Sequence, residues 1–174
     1  MRAILISVQP QHTCNILNYL KTLEIRKSMP RCKLPIEVYI YCTKNGGMTY
    51  KYEDSKYHAT TTKNYFPHYC INGKVVAKFT LNKVNAFFSY DETFLEDSCL
   101  TRDELEDYAD NKNILYAWHI DNLVIFDKPR ELATFFKTIE TNIDGVYGIP
   151  QHQKITSFIA ITKAPQSWCY VEAL

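Results

Sequence analysis

Five glycines in 174 residues leave little material for a glycine-rich loop that would cradle a phosphate, and none is found. There is also no Gly-x-Ser-x-Gly elbow and no His-Glu-x-x-His pair, which removes the commonest hydrolase and metalloprotease signatures. A triad assembled from distant positions is not excluded by this. No apolar run approaches the roughly 20 residues that cross a bilayer. The N-terminus lacks the charged, apolar and small-residue order of a signal peptide, so the expected location is the cytoplasm. Neither sign of charge dominates: the net charge of +1 gives no overall field to hold the chain on nucleic acid. Any such binding must come from a local patch or pocket. No two of the cysteines (Cys14, Cys32, Cys42, Cys70, Cys99 and Cys169) have the short separation of a zinc knuckle, and none lies near paired histidines. His68 and Cys70, one residue apart, are a weak hint only. The expectation is reduced, mostly buried thiols, no metal and no cofactor.

What is abundant is aromatic. Thirteen Tyr and nine Phe within a 46% hydrophobic composition favour β structure around one substantial core. One domain is expected over residues 1–174, with an elaborated loop at about 44–72.

Residues 2–8 form an apolar run of strand length. Pro10 suits a helical first turn, and Thr13, Ile16, Leu17 and Leu20 continue at helical spacing. A strand over 36–43 is apolar on both faces and reads as central. Asn45-Gly46-Gly47 marks a turn. Beyond it, 48–70 interleaves Tyr50, Lys51, Tyr52, Lys56, Tyr57, Lys63 and Tyr65, either as a stacking surface for bases or as a cover over the sheet. Val75, Ala77, Phe79 and Leu81 alternate as a strand. Thr101 and Glu104 form a capping box, with Leu100 and Leu105 as its staple, so a helix begins near 102. Residues 114–126 read as one strand, and Pro129 opens a predicted third helix with Leu132, Phe135, Phe136 and Ile139 on its apolar face. Strands near 158–162 and 167–172 close the chain. The order predicts an α+β, mainly β fold: a curved or closed, mostly antiparallel sheet with three peripheral helices.

The stretch with the most chemistry is 22–26. Side chains alternate along a strand, so Thr22, Glu24 and Arg26 share one face and Leu23 and Ile25 the other, just after Lys21. Facing a cleft, this row is a polar site on a rigid element. Facing water, it is an edge strand with a weak surface pair. Lys21, Arg26, Lys27, Arg31 and Lys33 form a modest basic cluster beside it. Trp118 is either core or a stacking platform, and His119 is the histidine that stands out, though a structural role suits it well.

The sequence Tyr19-Leu20-Lys21-Thr22-Leu23-Glu24-Ile25-Arg26 resembles the hallmark of the ASCH family, Gly-x-Lys-x-x-Glu-x-Arg, with tyrosine in place of the glycine. The resemblance extends to Ala3-Ile-Leu-Ile-Ser-Val-Gln-Pro10, Val38-Tyr-Ile-Tyr-Cys-Thr43, Tyr116-Ala-Trp-His-Ile120 with Asp127-Lys-Pro129, and Pro165-Gln-Ser-Trp-Cys-Tyr-Val171. It therefore covers nearly the whole chain and looks like prokaryotic and phage members. It implies a small PUA-like β-barrel with a cleft lined by Lys21, Glu24 and Arg26. The implied ligand is RNA or a nucleoside, modified or not, bound by Lys21, Thr22, Glu24, Arg26 and Trp118, with no membrane partner. Tyr19 is expected to reshape the mouth of that pocket.

Two other function classes stand beside this one. Relatives in the same superfamily look like amidohydrolases of acylated cytidine or like ribonucleases, in which case Lys21 and Glu24 would be the catalytic pair. The amidohydrolase nucleophile is a threonine three residues after the lysine. Here that position is Glu24, and using Thr22 instead would shift the attacking oxygen by roughly 6–7 Å. A protein-interaction module working through the tyrosine-rich segment is the third reading. A deep pocket containing Lys21, Glu24 and Arg26 favours a nucleoside-sized ligand, and a long basic groove reaching Arg31 and Lys33 favours extended RNA.

Overall fold

Strand β3 (Ile36–Cys42) is the centre of the main sheet, as its two apolar faces require. The computed structural model describes residues 2–44, 49–53, 56–60, 71–143 and 153–172. In the five-stranded sheet, β3 runs parallel to β1 (Arg2–Val8), which pairs antiparallel with β12 (Trp168–Glu172). On its other side β3 pairs antiparallel with β6 (Val75–Leu81), and β6 with β9 (Asp121–Arg130). A second, three-stranded sheet has the order β2 (Leu23–Arg26), β8 (Leu115–His119), β7 (Val84–Phe87). Two hairpins complete the strands: β4 (Thr49–Glu53) with β5 (Lys56–Thr60), and β10 (Phe136–Ile143) with β11 (Gln153–Ala160).

The main sheet buries both faces. Ile4, Ile6, Val38, Ile40 and Phe79 pack beneath helix α1 (Pro10–Leu17) and against Trp118, while Ala3, Leu5, Tyr39, Val75 and Val171 pack against Phe135 and Ile161. A third cluster joins Leu23, Ile25, Leu115 and Ala117 to Leu105 of helix α3 (Arg102–Ala109), with Phe94 and Leu95 of helix α2 (Glu92–Ser98) at its margin. The apolar face of β2 is thus covered by α2 and α3, which leaves Glu24 and Arg26 for its other face. No helix among the described residues is long and apolar enough to cross a membrane.

Several sequence expectations need correction. The expected mostly-β α+β class holds, and among the described residues the five-stranded sheet ends on β12 and β9 with no ladder joining them. Residues 114–126 are two strands that change sheets at Ile120, not one. The predicted helix from Pro129 is absent. Pro129 lies in edge strand β9 next to a register shift, where its missing N–H costs no ladder bond. A single 3-10 turn, Leu132–Thr134, follows, and β10 then pairs residue for residue with β11. Phe135 alone of the supposed apolar face is fully buried; Phe136 and Ile139 are exposed. The local spacing imitated a helix, and a partner in distant sequence decided otherwise. Three α-helices are nonetheless present among the described residues, the third place being taken by α2, which the sequence reading does not include. Asp91 caps it by accepting from the Phe94 N–H, and Cys99 ends it in the left-handed conformation. The side chains of 48–70 lie outside the described residues, as do His68 and Cys70.

Candidate functional site

The site begins at the end of α1. The Tyr19 N–H donates to the Ile16 carbonyl and the Leu20 N–H to the Asn15 carbonyl, the paired bonds of a Schellman stop. In that motif the residue after the cap is left-handed and usually glycine. Here it is Tyr19, with φ +59°. Glycine, which the resembled hallmark carries at this position, would hold this left-handed backbone without strain. The Tyr19 ring is exposed and does not line the cleft described below, contrary to the expectation that it reshapes the pocket mouth. Leu20, placed on the helix's apolar face from spacing, is also exposed because the helix has already ended.

The turn delivers Lys21 into the protein. Its ammonium donates to the Ser98 carbonyl at 2.5 Å and faces Glu24 Oε2 at 3.6 Å. Glu24 Oε1 forms an ion pair with Arg26 Nη2 at 2.9 Å. Arg26 Nη2 also donates to the Ser7 carbonyl at 2.8 Å, and Nη1 reaches the carbonyl and hydroxyl of Ser167 at 3.4 and 3.3 Å. Lys21, Glu24 and Arg26 are 3, 6 and 6% exposed, so one buried carboxylate is shared between two buried cations. Burial holds the Lys21 ammonium below the ordinary lysine range, with the Glu24 charge opposing that shift.

All three residues line one cleft of about 810 Å³. Its walls come from β1 and the start of α1 (Ser7, His12), from α3 (Glu104, Asp107, Tyr108), and from Lys27, Lys44 and Ser167. As cleft residues, His12, Lys44, Glu104 and Ser167 carried no local sequence signal. His12 was passed over for His119, which is not among the cleft residues. The His12 imidazole is pushed below its usual range by burial first and by Lys21 second, with Glu24 and Glu104 pulling the other way. Burial raises the Tyr108 phenol.

Two expected site residues are elsewhere. Thr22 is exposed and absent from the cleft wall; its N–H donates to the Asp97 carbonyl. Trp118, opposite Glu24 in the β2–β8 register, is fully buried in the core and donates its indole N–H to the Ser28 carbonyl. Arg31 and Lys33 do not line the cleft, although Lys27 does. Among the described residues no group of His, Cys, Asp and Glu is placed to hold a metal ion. Cys14, Cys32, Cys42, Cys99 and Cys169 form no disulfide among the described residues.

The fold is thus a mostly-β α+β domain with a short polar strand flooring a cleft. No family model matches the chain, and no curated protein matches it. Solved structures do. The ASCH protein of Zymomonas mobilis matches with a TM-score of 0.51 at 16% identity, covering 75% of this chain and 73% of that one. A serine-to-alanine variant of the same protein matches with a TM-score of 0.53 at 16% identity, covering 75% and 74%. The fold is ASCH-like.

Proposed function

We propose that the protein binds RNA or a nucleotide- or nucleoside-sized ligand in the cleft floored by Lys21, Glu24 and Arg26. The observation that carries this reading is the buried, charge-linked row at the base of an open cleft. Three ionisable side chains are expensive to withdraw from water. Placed at a cleft floor on a short strand, they form a rigid polar surface for a partner. The cleft's 810 Å³ lies within the roughly 300–1,000 Å³ of small-molecule sites. Its wall mixes Lys21, Arg26, Lys27 and Lys44 with Glu24, Glu104 and Asp107, unlike a groove that tracks a phosphate backbone. A compact ligand, free or at the end of an RNA, suits it better than an extended strand. Tyr108 is the aromatic ring in the cleft wall and takes the stacking role that Trp118 is too buried to fill. The ASCH-like fold supports the same reading by analogy of fold.

Thermal-shift and calorimetric titrations with nucleosides, nucleotides and short single-stranded RNAs test it. Stabilisation of the wild type, lost in folded Lys21→Met, is the expected result. No response to any of these probes overturns the reading.

A hydrolytic use of the same cleft draws support from one observation: burial moves Lys21 toward its neutral amine, 3.6 Å from Glu24. That pairing suits proton transfer to and from a substrate. Chromatography of the same mixtures after incubation separates turnover from binding alone.

A further inference from the structure

Four buried side-chain polar atoms have no hydrogen-bond partner among the described residues: His12 Nδ1, Arg26 Nε, the Tyr170 hydroxyl and Glu24 Oε2, which meets the Lys21 ammonium only at the ion-pair distance of 3.6 Å. Three of the four belong to residues of the one cleft. Folded proteins leave few such atoms, because each forfeits its hydration without a replacement. Their concentration at a single cleft floor points to a ligand with complementary hydrogen-bonding groups.

The chemistry of the three atoms restricts that ligand. Arg26 Nε only donates and Glu24 Oε2 only accepts. A neutral imidazole donates from one nitrogen and accepts at the other, so His12 Nδ1 takes either role according to its tautomer. A phosphate offers acceptors and negative charge, and it would confront the Glu24 carboxylate. The cationic donors of the floor itself are already partnered; Lys27 and Lys44 belong to the cleft's wall. Arg26 Nη2 is held by Ser7 and Glu24, Nη1 by Ser167, and Lys21 Nζ by Ser98. A planar heterocycle edge, with a carbonyl or ring nitrogen beside an N–H, complements a donor and an acceptor together.

We propose that this floor reads the hydrogen-bonding edge of a nucleobase rather than a phosphate, and that His12 is its third reader beside Glu24 and Arg26. This rests on the cleft being the ligand site. The three atoms are closed off from bulk water in the unliganded cleft, so binding includes a side-chain adjustment at the floor. The partly exposed His12 has more room for it than Glu24 or Arg26.

The test titrates the full chain with the four ribonucleosides, their 5′-monophosphates and inorganic phosphate. Wild type, Lys21→Met, His12→Phe and His12→Gln are compared, with the thermal midpoint of each variant recorded first. At least one nucleoside is expected to bind, its 5′-monophosphate within a few fold of it, without competition from inorganic phosphate. His12→Phe is expected to weaken binding by about tenfold, the worth of a neutral hydrogen bond, and His12→Gln to restore most of it. In wild type, the His12 ring ¹⁵N resonances are expected to shift on adding that nucleoside, a readout that needs no variant. Competition by phosphate overturns the base-edge assignment. If nucleosides bind, Lys21→Met loses them, and neither His12→Phe nor the ¹⁵N spectrum responds, the role of His12 falls while the cleft reading stands. If wild type binds none of the nucleosides, nucleotides or short RNAs, both fall.

Discussion

Arg26 Nη2 and Glu24 Oε1 stand 2.9 Å apart inside the protein, and the same carboxylate faces the Lys21 ammonium at 3.6 Å. Removing different members of this trio therefore has unequal consequences. Glu24→Gln leaves two cations buried without a counter-charge and is expected to cost about 3–5 kcal/mol. Lys21→Met leaves the Arg26–Glu24 pair intact and is expected to cost far less. Urea denaturation of the two variants checks the asymmetry, and equal losses would contradict it.

The Lys21 ammonium carries a burial penalty that depends on pH. Its folded value lies below the unfolded 10.5, so between the two the unfolded chain holds more protons and stability rises with pH. Below that window the penalty is present in full; above it both states are neutral. The stability of wild type relative to Lys21→Met should thus climb as pH rises toward 10.5. Denaturation midpoints at a series of alkaline pH values measure this, and a flat or falling difference would contradict it.

Tyr19 holds a left-handed backbone at a position where glycine is at ease. Tyr19→Gly relieves that strain but gives the unfolded chain more freedom, and the net expectation is a gain of roughly 0.5–1 kcal/mol. Because the ring is exposed and off the cleft, ligand affinity should not change. Calorimetric melting and a nucleoside titration test both halves.

The capping box at α3 gives a second pH-dependent prediction. The Thr101 N–H and hydroxyl donate to Glu104 Oε2 at 2.8 and 3.0 Å, and the Thr101 backbone contact chiefly holds the Glu104 carboxyl below its usual 4.5. Thr101→Ala should cost about 1 kcal/mol at neutral pH. Alanine keeps the backbone N–H, so only the share contributed by the hydroxyl's bond to Glu104 is at stake; it is present above 4.5 and is lost as pH falls through the lower folded value. The gap between wild type and variant should accordingly narrow in acid.

The legible parts of this molecule were those written in local sequence. Alternation alone placed Glu24 and Arg26 opposite Leu23 and Ile25, and the Thr101–Glu104 spacing gave α3 its start. The double apolar face of 36–43 gave the central strand. What stayed hidden depended on partners far away in sequence. Phe136 and Ile139 kept helical spacing until β11 claimed the segment as a strand. Trp118 alternates with its neighbours in a way that says nothing about which layer will cover it. His12 joins the cleft only because α1 folds back beside Lys21 and α3 brings Glu104 to the opposite wall.

Arg26 is fastened at once to Ser7 in β1 and to Ser167, 160 positions further along. The Ser7 N–H and hydroxyl are themselves tied to Ser167 and Pro165. During synthesis, the segment carrying Lys21, Glu24 and Arg26 leaves the ribosome long before its clasp exists. A nascent chain ending short of Ser167 holds the whole polar row and still lacks the contacts that fix its guanidinium. The polar floor is therefore fixed late, only once the segment around Ser167 has docked beside β1.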